Sequence, residues 1–201
     1  RENSYYSKPL GFMIKNQMLS KKLINSIVKF KNITKYDAKI ISFNRENEKV
    51  FLNLTNNKSI NCDLRIGADG KNSIIREMTG IKSIIKNYNQ KAFIFDVKHQ
   101  KSHNNLATEN FLEQGPLASL PIIYKKSSLY SSIVWSCNHP YYYKVMNLKN
   151  YEIENILNFY LSSYYGNFKI VSEVKSWDLS LTKATKFFDY RVLLLGDSAH
   201  S

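Results

Sequence analysis

A chain of 201 residues that is 43% apolar, with 14 tyrosines and 11 phenylalanines, can bury roughly 70% of the surface its unfolded form exposes, which excludes a disordered polypeptide. Its net charge of +13 comes from 24 lysines against five arginines. This reads as a solvated basic surface rather than a nucleic-acid footprint, because phosphate-gripping surfaces lean on the planar fork of arginine. Cys62 and Cys137 have no CxxC spacing and no His at ligand spacing, and no stretch approaches the ~20 apolar residues of a spanning helix, so the sequence implies two free, buried thiols, no metal and no spanning helix.

From Leu10 to Phe30 the apolar positions Met13, Ile14, Met18, Leu19, Leu23, Ile27 and Phe30 recur every three or four residues, predicting an amphipathic helix from near Asn16. DAKIISFN and KVFLNLTN, joined by the polar RENE, read as a hairpin. SINCDLRIGADG is a third extended run ending at Ala68-Asp69-Gly70, followed by helical character over Lys71 to Met78. Arg65 interrupts its apolar pattern and argues against a fully buried position.

Beyond about Lys86 the texture turns to strands: AFIFDVKH, ATENFLEQ, PLASLPIIY and LYSSIVWSC. Tyr151 to Tyr165 carries Ile153, Ile156, Leu157, Tyr160 and Leu161 at helical spacing, and FKIVSEV and SWDLSLT return to strand. RVLLLGD has the continuous apolar run of an inner strand of the first block's sheet. His99, His103 and His139 fall at strand ends or in loops and read as solvated. The predicted fold class is α/β (α+β overall), with a β-rich domain over residues 81–185 inserted between residues 1–80 and a returning segment, 186–201.

Two turns carry candidate chemistry. In DLRIGADGKNSIIR a strand ends in small residues, so backbone can approach a ligand while amides at the start of the following helix face phosphate oxygens, and Arg76 either adds a cation or is an ordinary surface charge. In RVLLLGDSAHS, Gly196 permits a close turn that presents Asp197 at a strand end. GDS after a strand also occurs in serine esterases, but Ser198 has three residues after it and His200 lies too close along the backbone to serve as its base. A basic, tyrosine-rich nucleic-acid-binding module is the other rival, and no RNA-binding signature supports it.

DLRIGADGKNSIIR resembles the Asp-Gly fingerprint, and GDSAH the Gly-Asp fingerprint, of the p-hydroxybenzoate hydroxylase-like FAD-dependent aromatic monooxygenases. LGFMIKNQMLSKKLI is similar to the LGYxVENxxLxxAL helix, and GPLASLPI to the GPLAxLPL segment, of their ubiquinone-biosynthesis hydroxylase branch. The resemblance implies an FAD-binding Rossmann-like domain carrying an inserted substrate-side sheet. It implies a monooxygenase that uses FAD, NAD(P)H and oxygen to hydroxylate a polyprenylated phenol in ubiquinone biosynthesis. Asp69, Gly70, Arg76, Gly196, Asp197 and Gln17 match cofactor-contacting positions, Asp197 accepting hydrogen bonds from the ribitol hydroxyls. Gln17 stands where many relatives carry Arg or Thr. Gly115, Pro116, Leu117 and Ala118 match a wall of the substrate pocket. No catalytic residue is assigned.

No GxGxxG stands before Leu10 and nothing follows Ser201, so the resemblance implies an internal segment of a longer flavoprotein, with an incomplete FAD domain and, as the alternative, no competent site of its own. It further implies a cytoplasmic protein, at most peripheral to the inner membrane, with other ubiquinone-biosynthesis proteins as partners and no specific nucleic acid.

Overall fold

The computed structural model describes residues 9, 11–46 and 48–201; Leu10, at the head of the expected helical stretch, and Asn47, in the expected hairpin turn, lie outside them. The elements run α1 (Asn16–Ile27), β1 (Ile40–Glu46), β2 (Lys49–Leu54), β3 (Ser59–Cys62), β4 (Arg65–Gly67), α2 (Ile74–Met78), β5 (Ser83–His99), β6 (Thr108–Leu112) and β7 (Gly115–Tyr124). They continue through β8 (Ser127–Asn138), α3 (Tyr141–Met146), α4 (Asn150–Tyr165), β9 (Phe168–Ile170), β10 (Lys175–Ala184), β11 (Phe188–Asp189) and β12 (Val192–Leu194) to a single 3-10 turn, Gly196–Ser198. The described residues up to Ile33 with Gln90–Asp178 form one compact unit; Thr34–Asn89 with Leu179–Ser201 form a second.

The first unit is organised by a sheet of order β10-β5-β8-β7-β6, with β9 also pairing β5. Successive strand residues point to opposite faces, so Phe93, Phe95 and Val97 of β5, Leu117 of β7, and Ile133, Trp135 and Cys137 of β8 share one face. That face is covered by α3 and α4, whose Tyr142, Val145, Ile153, Leu157, Leu161 and Tyr165 complete the core. Ile153, Leu157, Leu161 and Tyr165 recur every four residues, which places them on one side of α4. Burying each such side chain contributes about 1.5–3 kcal/mol. Glu154, on the same helix, is buried without cost in unmade bonds: its carboxylate accepts from the Ile170 amide at 2.9 Å and pairs with Lys169 at 3.3 Å. α1 begins at Asn16, where the spacing predicts it, and none of its residues is buried.

In the second unit β1, β2 and β3 form an antiparallel meander, and β12 lies between β11 and β4 in a separate three-stranded sheet. β12 runs parallel to β4, with Val192 opposite Arg65, Leu193 opposite Ile66 and Leu194 opposite Gly67. Ile75, Ile81, Ala184, Val192, Leu194 and Ala199 form its core, with Ile40 and Phe43 packed against them.

Four expectations are corrected. SINCDLRIGADG is two strands rather than one run, because β3 takes its partner from β2 and β4 takes its partner from β12. Arg65 is buried, at 3% exposure: its guanidinium lies 4.5 Å from the centre of the Phe43 ring, which accepts a cation on its face. His99 and His103 are each 2% exposed, whereas His139 is exposed as expected. Both cysteines are free, but only Cys137 is buried, and burial pushes its thiol up to about 12; Cys62 is half-buried.

Candidate functional site

Because β4 and β12 are parallel neighbours, the turns after them, Ala68-Asp69-Gly70 and Gly196-Asp197-Ser198, leave the same end of the sheet side by side. In open α/β sheets that carboxyl end is where ligands collect. The Leu195 amide extends the ladder by donating to the Gly67 carbonyl at 2.8 Å. Ser198 then fastens the two turns together: its buried hydroxyl lies 2.5 Å from the Gly67 carbonyl and 2.7 Å from the Leu195 carbonyl, and accepts from the Leu195 amide at 3.1 Å. A hydroxyl so enclosed is a structural fastener rather than an exposed nucleophile, which sets aside the esterase reading. Beyond it, Ala199 and Ser201 lie along β10 through bonds to Ala184 and Thr182.

Arg76 makes a second tie. One arm of its guanidinium donates to the Ser198 carbonyl at 2.8 Å and the other to the Lys71 carbonyl at 2.7 Å. The planar fork thereby spans both turns. Asp69 is committed as well. One carboxylate oxygen accepts from the Ser73 hydroxyl at 2.5 Å and the other from the Ile75 amide at 3.1 Å, while the Ser73 oxygen accepts from the Arg76 amide at 3.0 Å. Burial pushes the Asp69 carboxyl up, but bonds from Ser73 and the Ile75, Asp69 and Ile74 amides outweigh it and hold the group below its ordinary value. The opening amides of α2 are therefore capped by Asp69 and Ser73, not open to phosphate as the sequence suggests.

The glycines divide by task. Gly70 (φ 88°) and Gly196 (φ 60°) hold the left-handed backbone that shapes the two turns. Gly67 serves close packing instead: a Cβ there would stand 2.8 Å from Ile75 Cγ2 and 3.0 Å from Leu194 Cδ2, so its smallness lets α2 approach the sheet rather than admitting a ligand. Asp197 differs from all its neighbours. It is exposed, and its carboxylate takes part in no hydrogen bond or ion pair among the described residues. An uncommitted acceptor fixed at a strand end suits the polyhydroxyl chain of a flavin nucleotide.

Asp69, Gly70, Arg76, Gly196 and Asp197 thus come together in the second unit. Gln17 and Gly115 to Ala118 belong to the first. Gln17 is exposed on α1 and forms no hydrogen bond among the described residues. Leu117 points into the core opposite Trp135, so its side chain cannot share a face with Pro116 and Ala118. The part-buried face away from the helices carries the row Ile94, Val134, Ala118 and the row Asp96, Ser132, Leu120. Gly115 (φ 129°) lets β7 pass close to the Ser136 carbonyl. Ser198, as the fastener of the two turns, and Gly67, as a packing position, are the roles sequence reasoning missed. The signal for Ser198 was a small hydroxyl residue immediately after a Gly-Asp turn.

A family model described as an FAD binding domain matches residues 13–201. The ubiquinone hydroxylase UbiL of Rhodospirillum rubrum is 29% identical over 193 residues, which cover 96% of this chain and 44% of that protein. Human ubiquinone biosynthesis monooxygenase COQ6 is 30% identical over 141 residues, covering 68% of this chain and 29% of that one. The chain spans less than half the length of these curated relatives. Among solved structures, aklavinone-11 hydroxylase in complex with FAD and aklavinone superposes with a TM-score of 0.69 at 14% identity, over 94% of this chain and 37% of that one.

Proposed function

Since the chain belongs to the FAD-binding domain family and has the p-hydroxybenzoate hydroxylase-like fold, we propose that it holds FAD at the paired turns of β4 and β12 and serves an NAD(P)H-dependent hydroxylation of a polyprenylated phenol. The observation that carries this reading is the open carboxylate of Asp197 beside a turn network whose other polar groups are already bonded to one another. The residues present fit the cofactor in that sense: an acceptor without a partner among the described residues, two left-handed glycines and a rigid frame.

In this reading Asp197 accepts hydrogen bonds from the ribitol hydroxyls and Gly196 lets the backbone turn beneath them. Arg76, Ser198 and Asp69 keep the two turns in register. Bound FAD would supply the electron transfer from NAD(P)H and the oxygen chemistry; the protein would orient the ring and exclude water. Gln17 is assigned a cofactor contact. Gly115, Pro116 and Ala118, with the row Ile94 and Val134, are assigned to the substrate side, where small apolar residues suit a prenylated ring. In domain terms, residues 1–80 and 186–201 serve the cofactor and residues 81–185 the substrate. The names of the UbiL and COQ6 relatives support a ubiquinone-type phenol and a place among ubiquinone-biosynthesis proteins. Among the described residues no helix is long and apolar enough to cross a membrane. Contact with lipid would be peripheral, aided by Lys21, Lys22, Lys29 and Lys31, a stretch without a carboxylate.

The test is consumption of NAD(P)H by the protein supplied with FAD, oxygen and a short-chain prenylated phenol, with the product followed by mass. Phenol-dependent oxidation with gain of one oxygen atom supports the reading. Flavin binding without any phenol-dependent turnover or product would limit the chain to a cofactor-binding role.

A further inference from the structure

Two histidines that the flavin reading does not use are enclosed at one end of the first unit. His99 closes β5 and His103 sits in the loop that follows, with ring centres 6.1 Å apart. His99 packs against the rings of Tyr165 at 5.0 Å and Phe168 at 5.7 Å. Its Nδ1 lies 2.7 Å from the Lys101 carbonyl and its Nε2 3.0 Å from Ser131 Oγ. A carbonyl can only accept, so Nδ1 carries the hydrogen and Nε2 accepts from the Ser131 hydroxyl. For His103 the roles are reversed. Nδ1 accepts from the Asn105 amide at 3.0 Å, which leaves Nε2 to donate to the Ile122 carbonyl at 3.3 Å. Both rings are therefore fully bonded in their neutral forms, in opposite tautomers.

The surroundings offer no counter-charge. On the same strand and loop, Lys98 is exposed and Lys101 donates to the Ser163 carbonyl at 3.3 Å. From α4, the Tyr165 hydroxyl bonds Thr108 of β6 at 3.0 Å, and Glu154 is occupied by Lys169 and the Ile170 amide of β9. Glu109 of β6 is exposed, Tyr130 of β8 lies opposite Lys98, and Tyr124 of β7 stacks edge-on with Tyr130. Among the described residues no carboxylate pairs with either ring.

We propose that His99 and His103 form a proton-operated latch: neutral, they hold the 100–107 loop to β7 and β8; protonated, they release it. A proton from solvent taken by His103 Nδ1 sets an N–H against the Asn105 N–H. One taken by His99 Nε2 removes the acceptor of the Ser131 hydroxyl, and two cations at this separation repel in a buried site. Burial, with the charge of His103 adding to it and the Lys101 carbonyl opposing, holds His99 below the usual histidine range. For His99 the sign follows: its open form takes a proton near the ordinary value of about 6.5 and its closed form does not. Closure is thus complete above that pH and weakens as pH falls through it toward the depressed folded value.

Residue-resolved hydrogen exchange, corrected for intrinsic rates, tests this between pH 7.5 and 5.5. Protection of the His103, Asn105 and Leu106 amides should fall by about tenfold for one proton across that interval, while Ile133 and Trp135 on β8 keep theirs. His99→Gln retains a donor and an acceptor without titrating, and His103→Asn does the same for the second ring; each should flatten the response. Loop protection that does not change with pH in the wild type, or that falls equally in both variants, overturns the latch.

Discussion

Gly115→Ala is expected to destabilise the first unit by roughly 3 kcal/mol or more, combining left-handed strain with overpacking. A Cβ at this position would stand 2.2 Å from the Ser136 carbonyl oxygen, an atom of the neighbouring strand that cannot swing aside. The φ of 129° adds strain for any L side chain. Two residues on, Leu117 pairs with Trp135, so a displaced β7 also disturbs the largest side chain of the core. Gly80→Ala is the informative comparison. Its φ of 69° is also left-handed, but nothing lies within 4 Å of the added methyl, so about 1–2 kcal/mol of strain is the whole cost. Thermal melts should separate the two by several degrees, at roughly 2–4 °C per kcal/mol for a chain of this size. Equal losses would mean that contact with Ser136 contributes nothing.

Arg76→Met is expected to loosen the paired turns at a cost of about 2–3 kcal/mol, because it removes two charge-assisted bonds and leaves part-buried carbonyls unpaired. The Ser198 and Lys71 carbonyls are 122 and 5 residues away in sequence. Loss of the first leaves Ser198 as the one side-chain tie between the turns named above, and loss of the second frees the loop from its own helix. Arg76→Lys should recover only part of the effect, since an ammonium on a single stem cannot span both carbonyls as the fork does. Retained FAD should fall in the same order: wild type, lysine, methionine. If the lysine variant matches the wild type in both melting and flavin content, the charge alone suffices and the spanning geometry is irrelevant.

What could be read from the sequence was what depends on near neighbours. The three- and four-residue spacing placed the start of α1 at Asn16, and the period-two runs placed β1, β2, β5, β7 and β8. The turns at Gly70 and Gly196 were legible because glycine and aspartate mark turns by their own backbone preferences. Harder to read was anything settled by a distant partner. Whether residues 59–67 make one strand or two depends on β2 and β12, not on the segment itself. KHQKSHNN is polar throughout, yet His99 is buried by Ser131, Tyr165 and Phe168, from 32 to 69 residues away along the chain, and His103 bonds to Ile122 of β7. Arg65 is buried against the Phe43 ring, 22 residues away along the chain. α3 went unread because YYYKVM favours strand by composition; the spacing of its buried Tyr142 and Val145 was the available sign.

The same distinction runs through the candidate site. Asp69 and Arg76 are in the positions that the family resemblance marks, yet their side chains are spent on Ser73, Ile75, Lys71 and Ser198. Residue type could place them at the site. Only their partners show that they build the frame around Asp197.

The most direct measurement of the central claim, that the β4 and β12 turns hold FAD through Asp197, is FAD titration of the wild-type protein and of Asp197→Ala, read from the flavin absorbance band and checked by circular dichroism. Because the carboxylate has no partner among the described residues, its removal should leave the protein folded while most of the bound flavin is lost. An alanine variant that is folded and carries the wild-type amount of flavin would contradict the account.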